Sequence, residues 1–309
     1  MKFVTFEVEG RRQAGIYKDS RIIGLHEASN GVIPEDLMRI IVDYPRYQPL
    51  IEACINGDYE LENVTLYAPL PRPLSIRDFY AFEEHVVTAR GKRGLGVVPE
   101  WYELPVFYFS NHLAVKGPGD VILRPKACEK LDYELEIACV IGKEGRNIKA
   151  NQAKDYIFGF MIMNDWSARD LQAQEMKVGL GPAKGKDFAT SFGPFLVTTD
   201  ELPMEQGKLD LQMEAFVNGE RYSLGNAKDM YYSFGEIIEQ ASRNVTLYPG
   251  EVLGSGTVGS GCILEQTDRS FLQSGDKVDL AITHLGILSN VVGEEEEYGL
   301  LSKNGRGSF

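Results

Sequence analysis

Histidine and cysteine are scarce in this chain of 309 residues, with four of each. The histidines, His26, His85, His112 and His284, show no HxxxH spacing, and the cysteines, Cys54, Cys128, Cys139 and Cys262, form no CxxC pair. Both absences argue against a zinc finger or a histidine-built zinc centre. The scattered cysteines read instead as small core hydrophobes of a reducing compartment. No apolar run approaches the roughly 20 residues that a membrane helix needs. Met1 to Gly10 lacks a signal-peptide core and alternates like a strand, so a cytoplasmic location is expected. Positive charge is in deficit: 32 Lys and Arg against 45 Asp and Glu give a net charge of −13. That balance argues against nucleic acid or a membrane surface as partner. It leaves room for a small anionic substrate gripped by a local cluster. Repeats of 20–50 residues and low-complexity linkers are absent as well.

What is present is ordinary for a globular protein: 43% hydrophobic and 25% charged residues. The length suits one large domain with a small appendage, or two domains. Residues 1–68 read as a small α+β domain. Val4, Phe6 and Val8 alternate, further short strands follow to residue 27, and residues 35–55 carry a helical pattern interrupted by Pro45 and Pro49. The stiff segment Ala68-Pro-Leu-Pro-Arg-Pro73 sets the boundary to a second domain over 69–309.

Two stretches of the second domain carry chemistry. In Met163-Asn-Asp-Trp-Ser-Ala-Arg-Asp-Leu-Gln172, an apolar run ends at a segment that reads as a helix capped by Asn164 or Asp165. Asp165, Arg169 and Gln172 then share one helix face at i, i+4 and i+7. A carboxylate, a guanidinium and an amide in one stripe suit an anionic substrate; the alternative is a solvated surface ion pair. In Asp132-Tyr-Glu-Leu-Glu-Ile137, alternation puts Glu134 and Glu136 on one strand face. Two carboxylates one repeat apart repel, and the strand runs on into a core. A divalent cation between them relieves that cost, and oxygen ligands suit Mg2+, Ca2+ or Mn2+ rather than zinc.

The strand with Glu134 and Glu136, the Met163–Gln172 stretch, Gly181-Pro-x-x-Gly-Lys186 and Gly254-Ser-Gly-Thr257 occur in this order. Together they resemble the fumarylacetoacetate hydrolase (FAH) family, over about Ile76 to Val292. The resemblance implies an α+β protein rich in mixed β-sheet, a β-sandwich or roll of the FAH type. It implies one divalent metal, with Mg2+ expected and Ca2+ or Mn2+ as alternatives, on Asp78, Glu134, Glu136 and Asp165. His85 becomes the general base, oriented by Glu265 or by Glu84. Arg169, Gln172 and Lys186 stabilise developing charge, and Tyr80, Tyr108 and Thr257 position the substrate. The implied partner is a second copy of the chain, in a homodimer. The implied reaction is hydrolysis of a carbon–carbon bond in a small β-diketo acid such as 4-fumarylacetoacetate, within aromatic amino acid catabolism. The rival activities on the same fold are acylpyruvase, oxaloacetate decarboxylase and hydratase/isomerase; a non-catalytic ligand-binding protein is the rival of another class.

Three further expectations come from residue pattern. Thr88 to Pro99, basic and glycine-rich, reads as a mobile loop or lid; Arg90, Lys92 or Arg93 is within reach of a substrate carboxylate, the alternative for each being a solvated loop residue. Ser233-Phe-Gly-Glu236 reads as a capping box opening a helix with Ile237, Ile238 and Ala241 inward. Residues 294–297, four glutamates, read as a solvated acidic tail.

Overall fold

The computed structural model describes residues 1–54, 57, 59–205 and 208–295. It is an α+β fold built on two mixed sheets. Ten strands of the larger sheet run in the order Tyr59–Glu60, Arg21–Gly24, Arg11–Lys18, Lys2–Val8, Thr190–Thr198, Ile157–Asp165, Leu135–Ile141, Val252–Gly254, Ile76–Phe79 and Phe107–Ser110. Thr65–Tyr67 adds to Lys2–Val8, and Val115–Lys116 to Thr190–Thr198. The smaller sheet runs Glu220–Asn226, Gln212–Val217, Lys277–Ile282, Gly286–Glu295 and Val121–Arg124. Lys2–Val8 pairs antiparallel with Thr190–Thr198, so the larger sheet crosses the Ala68–Pro73 connector without a break.

Period-two alternation divides the larger sheet into two faces. Ile137, Cys139, Ile141, Phe160 and Ile162 point to the smaller sheet, where they meet Met213, Ala215, Leu280 and Leu288 in one core. Ala138, Val140, Met161 and Met163 point the other way, into a core closed by the helices Leu37–Val42 and Tyr44–Ala53. Each fully buried Ile, Leu, Phe or Met contributes about 1.5–3 kcal/mol before conformational entropy is charged against it. The helix Phe234–Ser242 opens with the full capping box, Ser233 with Glu236, and buries Ile237, Ile238 and Ala241.

Local details differ from the sequence reading in three places. Asp165 is the last residue of the strand Ile157–Asp165, not a helix cap, because pairing with the neighbouring strand continues to Asp165↔Thr190. The helix starts only at Arg169, after Ser167–Ala168 has paired with Leu131–Asp132. The Thr88–Pro99 stretch is helical only at its start: the helix Glu83–Gly91 extends into it as far as Gly91, and the turn after it closes with Leu95 N–H donating to Arg90 O at 3.0 Å. In the acidic run, Glu294 and Glu295 end the strand Gly286–Glu295 and accept hydrogen bonds from Ser274 Oγ and Ala127 N–H; residues 296–297 lie outside the described residues.

Candidate active site

The face that carries Ile76, Ala138 and Met163 changes from apolar to acidic at one end. Two residues along each strand, alternation gives Asp78, Glu136 and Asp165, all buried. Register brings them together: Glu136 stands opposite Met163, Ala138 opposite Gly254, and Gly254 opposite Asp78. Gly254 is needed there, since a Cβ would lie 2.5 Å from Asp78 Oδ1 and 2.8 Å from Met163 Sδ. The carboxylates of Asp78, Glu136 and Asp165 each place an oxygen within 4.8 Å of the others.

Burial, reinforced by the charges of the neighbouring carboxylates, raises Asp78 and Glu136 well above the usual carboxylate range. Burial also raises Asp165, against the pull of Lys186. Asp78 Oδ1 and Asp165 Oδ1 are buried without a hydrogen-bond partner. Crowded, mutually repelling oxygens with unfilled lone pairs fit a hard divalent cation. Glu134 differs from these three. Burial would raise it, but Lys186, Arg169 and His85 outweigh burial and hold it below its ordinary value. Lys186 bridges Glu134 and Asp165, and Arg169 Nη2 lies 2.8 Å from Glu134 Oε1.

The remaining candidates surround this group. Register sets Tyr108 opposite Asp78, and its hydroxyl donates to Asp165. Thr257 Oγ1 and Gly256 N–H donate to Glu136 at 3.4 and 3.2 Å. On the helix Arg169–Glu175, Arg169 Nη1 donates to Gln172 Oε1 at 3.2 Å. His85, buried on the helix Glu83–Gly91, is hydrogen-bonded through Nδ1 to the Glu265 carboxylate, which also accepts from Ser260 N–H. Glu84 lies instead against Gly259. The Tyr80 ring stands edge-on to His85 at 5.3 Å, and burial pushes its hydroxyl up to about 12.

Ten of the twelve candidates line one cavity of about 530 Å³: Asp78, Tyr80, His85, Tyr108, Glu134, Glu136, Arg169, Gln172, Lys186 and Thr257. Asp165 and Glu265 sit behind that wall, bonded to Lys186 and His85 respectively. Arg90 and Arg93 also line the cavity, whereas Lys92 turns away and donates to Gln266 O at 2.8 Å. Sequence reasoning passed over Asp132, whose carboxylate is completely buried and accepts Arg169 Nε at 2.8 Å. Its one signal was a place two residues before Glu134, on a face that alternation assigns with the acidic pair.

Residues 75–293 match the family described as fumarylacetoacetate (FAA) hydrolase, C-terminal. This chain belongs to the fumarylacetoacetate hydrolase family. Among curated proteins it is 33% identical to an oxaloacetate tautomerase of Bacillus subtilis, over 95% of this chain and all of that one. It is 32% identical to a fumarylacetoacetase of Oryza sativa over 60% of this chain and 57% of that one. Among solved structures, the fumarylacetoacetate hydrolase of Exiguobacterium antarcticum superposes with a TM-score of 0.75 at 27% identity, covering 96% of this chain and all of that one. The two-sheet fold is therefore the FAH fold, and the family is one of enzymes. Among the described residues, no helix is long and apolar enough to cross a membrane.

Proposed function

We propose that this protein is a divalent-metal-dependent hydrolase of a carbon–carbon bond in a small β-diketo acid of the 4-fumarylacetoacetate kind. The observation that carries this reading is the buried His85–Glu265 pair at the wall of the cavity that also holds the carboxylate group. Asp78, Glu136 and Asp165 would hold the ion, with Glu134 as the fourth ligand of the family pattern; Mg2+ is the first choice, with Mn2+ or Ca2+ as alternatives. When bound, the ion supplies a Lewis acid for the diketone oxygens and for negative charge developing there.

The protein's own groups do the rest. With Nδ1–H given to Glu265, His85 keeps Nε2 as its basic nitrogen and takes a proton from water. The hydroxide adds to the carbonyl carbon beside the scissile bond. That bond breaks with its electron pair left on the departing carbon, and His85 returns the proton there, so one water yields two acids. Arg169, Gln172 and Lys186 stabilise charge on the attacked carbonyl and on the substrate carboxylate. Tyr80, Tyr108 and Thr257 orient the carbon chain. The same reading makes the protein a cytoplasmic homodimer serving aromatic amino acid catabolism.

A second reading is keto–enol tautomerisation of oxaloacetate, favoured by the likeness to the Bacillus subtilis tautomerase along its whole length. There His85 moves a proton and no water is consumed. The test is a panel of fumarylacetoacetate, an acylpyruvate and oxaloacetate, given to metal-stripped protein before and after Mg2+, Mn2+ or Ca2+. Metal-dependent cleavage of the diketo acid is the expected result. Tautomerisation of oxaloacetate alone would transfer the function to the second reading, and turnover of none would leave a ligand-binding protein.

A further inference from the structure

Asp132 sits outside the cavity wall yet touches both halves of the site. Its strand partner is Ser167, with Leu131 opposite Ala168, and the main chain holds the same place through Arg169 N–H donating to Lys130 O at 2.9 Å. The buried carboxylate therefore lies beside Arg169 and accepts its Nε at 2.8 Å. It also accepts Ile263 N–H at 2.8 Å and Leu264 N–H at 3.0 Å. Those two amides open the single turn Ile263–Glu265, whose last residue is the partner of His85. The first amides of a helical turn have no acceptor within it, and Asp132 supplies one from across the fold. A buried anion with three donors is satisfied only while all three stay in place.

We propose that Asp132 is a positioning residue that fixes two groups at once: the Arg169 guanidinium and, through the Ile263–Glu265 turn, the carboxylate that orients His85. An Asp132→Asn side chain keeps the shape but presents an N–H to at least one of the three donors, since Oδ1 accepts Ile263 N–H and Oδ2 accepts both Leu264 N–H and Arg169 Nε. The turn or Arg169 must then shift.

The proposal has a spectroscopic test and a kinetic one. A histidine N–H donated to a buried carboxylate gives a downfield proton resonance. That resonance is read on the folded protein without substrate, so it stands whether or not the hydrolase reading holds. Asp132→Asn is expected to shift or abolish the His85 Nδ1–H resonance while the circular dichroism spectrum stays native. The kinetic test rests on the hydrolase reading. Asp132→Asn should lower kcat by about 10–100-fold, the size of outer-shell effects on a site. The same change made in a Glu265→Gln background should cost less than it does alone, because the part that acts through Glu265 and His85 is already lost while the part that acts through Arg169 remains. An unchanged resonance in folded Asp132→Asn overturns the proposal, as does full additivity of the two substitutions. If Asp132→Asn does not fold, Asp132→Glu takes its place in both tests, since it keeps the charge and moves the carboxylate by one methylene.

Discussion

Lys186 donates to Asp165 with both side chains buried, and the same ammonium reaches Glu134. Burial alone would lower the lysine, but Asp165 and Glu134 hold it well above its ordinary value, so it is a permanent cation. It partly neutralises an otherwise repelling carboxylate group. Lys186→Met should therefore destabilise the metal-free protein by about 3–5 kcal/mol, the usual cost of removing one partner of a buried ion pair. A bound divalent ion supplies the missing charge, so the loss should shrink when metal is in excess. Urea unfolding in EDTA and in Mg2+ measures both. Equal losses under the two conditions would mean that lysine and metal do not share the task of neutralising these carboxylates.

The same carboxylates set a pH dependence. Asp78, Glu136 and Asp165 titrate higher in the folded chain than in the unfolded one, chiefly because they are buried. The metal-free folded state then binds more protons than the unfolded state above about pH 4. That contribution to stability is complete below the unfolded pKa values and is lost as pH rises through the raised ones. Glu134 has the opposite sign: it is held low, and its contribution is present above its unfolded value. Three raised groups against one lowered predict a Tm in EDTA that falls as pH rises above the ordinary carboxylate range. Added Mg2+ or Mn2+ should restore most at the higher pH values, where the ligands have lost their protons. A Tm in EDTA that rises with pH there would contradict the assignment.

Which parts of this site were readable in the sequence depends on the separation of the groups involved. Glu134 and Glu136 share a face by alternation alone, and the capping box spans four residues. The pairing of His85 with Glu265 crosses 180 residues, so only family resemblance could suggest it. Asp132 meets Arg169 across 37 residues and Ile263 across 131, through a strand pair too short to show as a pattern. Asp165 read as a helix cap because Asp before a helical run is a common cap. The strand wins because its hydrogen bonds to the next strand continue that far, and this is tertiary information. The glycine-rich basic stretch after Thr88 read as a loop, yet the helix that positions His85 extends into it.

The capping box gives a prediction that separates stability from activity. Ser233 Oγ accepts Glu236 N–H, and the Glu236 carboxylate accepts Ser233 N–H in return. Ser233→Ala should cost about 1 kcal/mol, with a range of about 0.5–2. None of the residues of the Phe234–Ser242 helix lines the cavity. Turnover per folded molecule should stay unchanged, as measured by assay below the unfolding transition. A fall in kcat would show that this helix supports the site in a way its position does not suggest.

Gly254 gives the sharpest steric prediction. Its backbone is not in the left-handed region, so a methyl group there meets no backbone penalty. The methyl would instead stand 2.5 Å from Asp78 Oδ1, a buried carboxylate oxygen without a hydrogen-bond partner among the described residues. The cheapest relief is for the Asp78 carboxylate to rotate away from Glu136 and Asp165. Met163 Sδ, at 2.8 Å, is the other atom that must yield, and a flexible thioether can do so. Gly254→Ala should then keep its fold and bind a divalent ion about 10–100-fold more weakly, comparable to losing a supporting group around a metal. Titration calorimetry with Mn2+ on metal-stripped protein reads the affinity, and circular dichroism checks the fold. Native affinity in a folded variant would mean that Asp78 Oδ1 does not face the ion, leaving Glu136 and Asp165 to hold it with other donors.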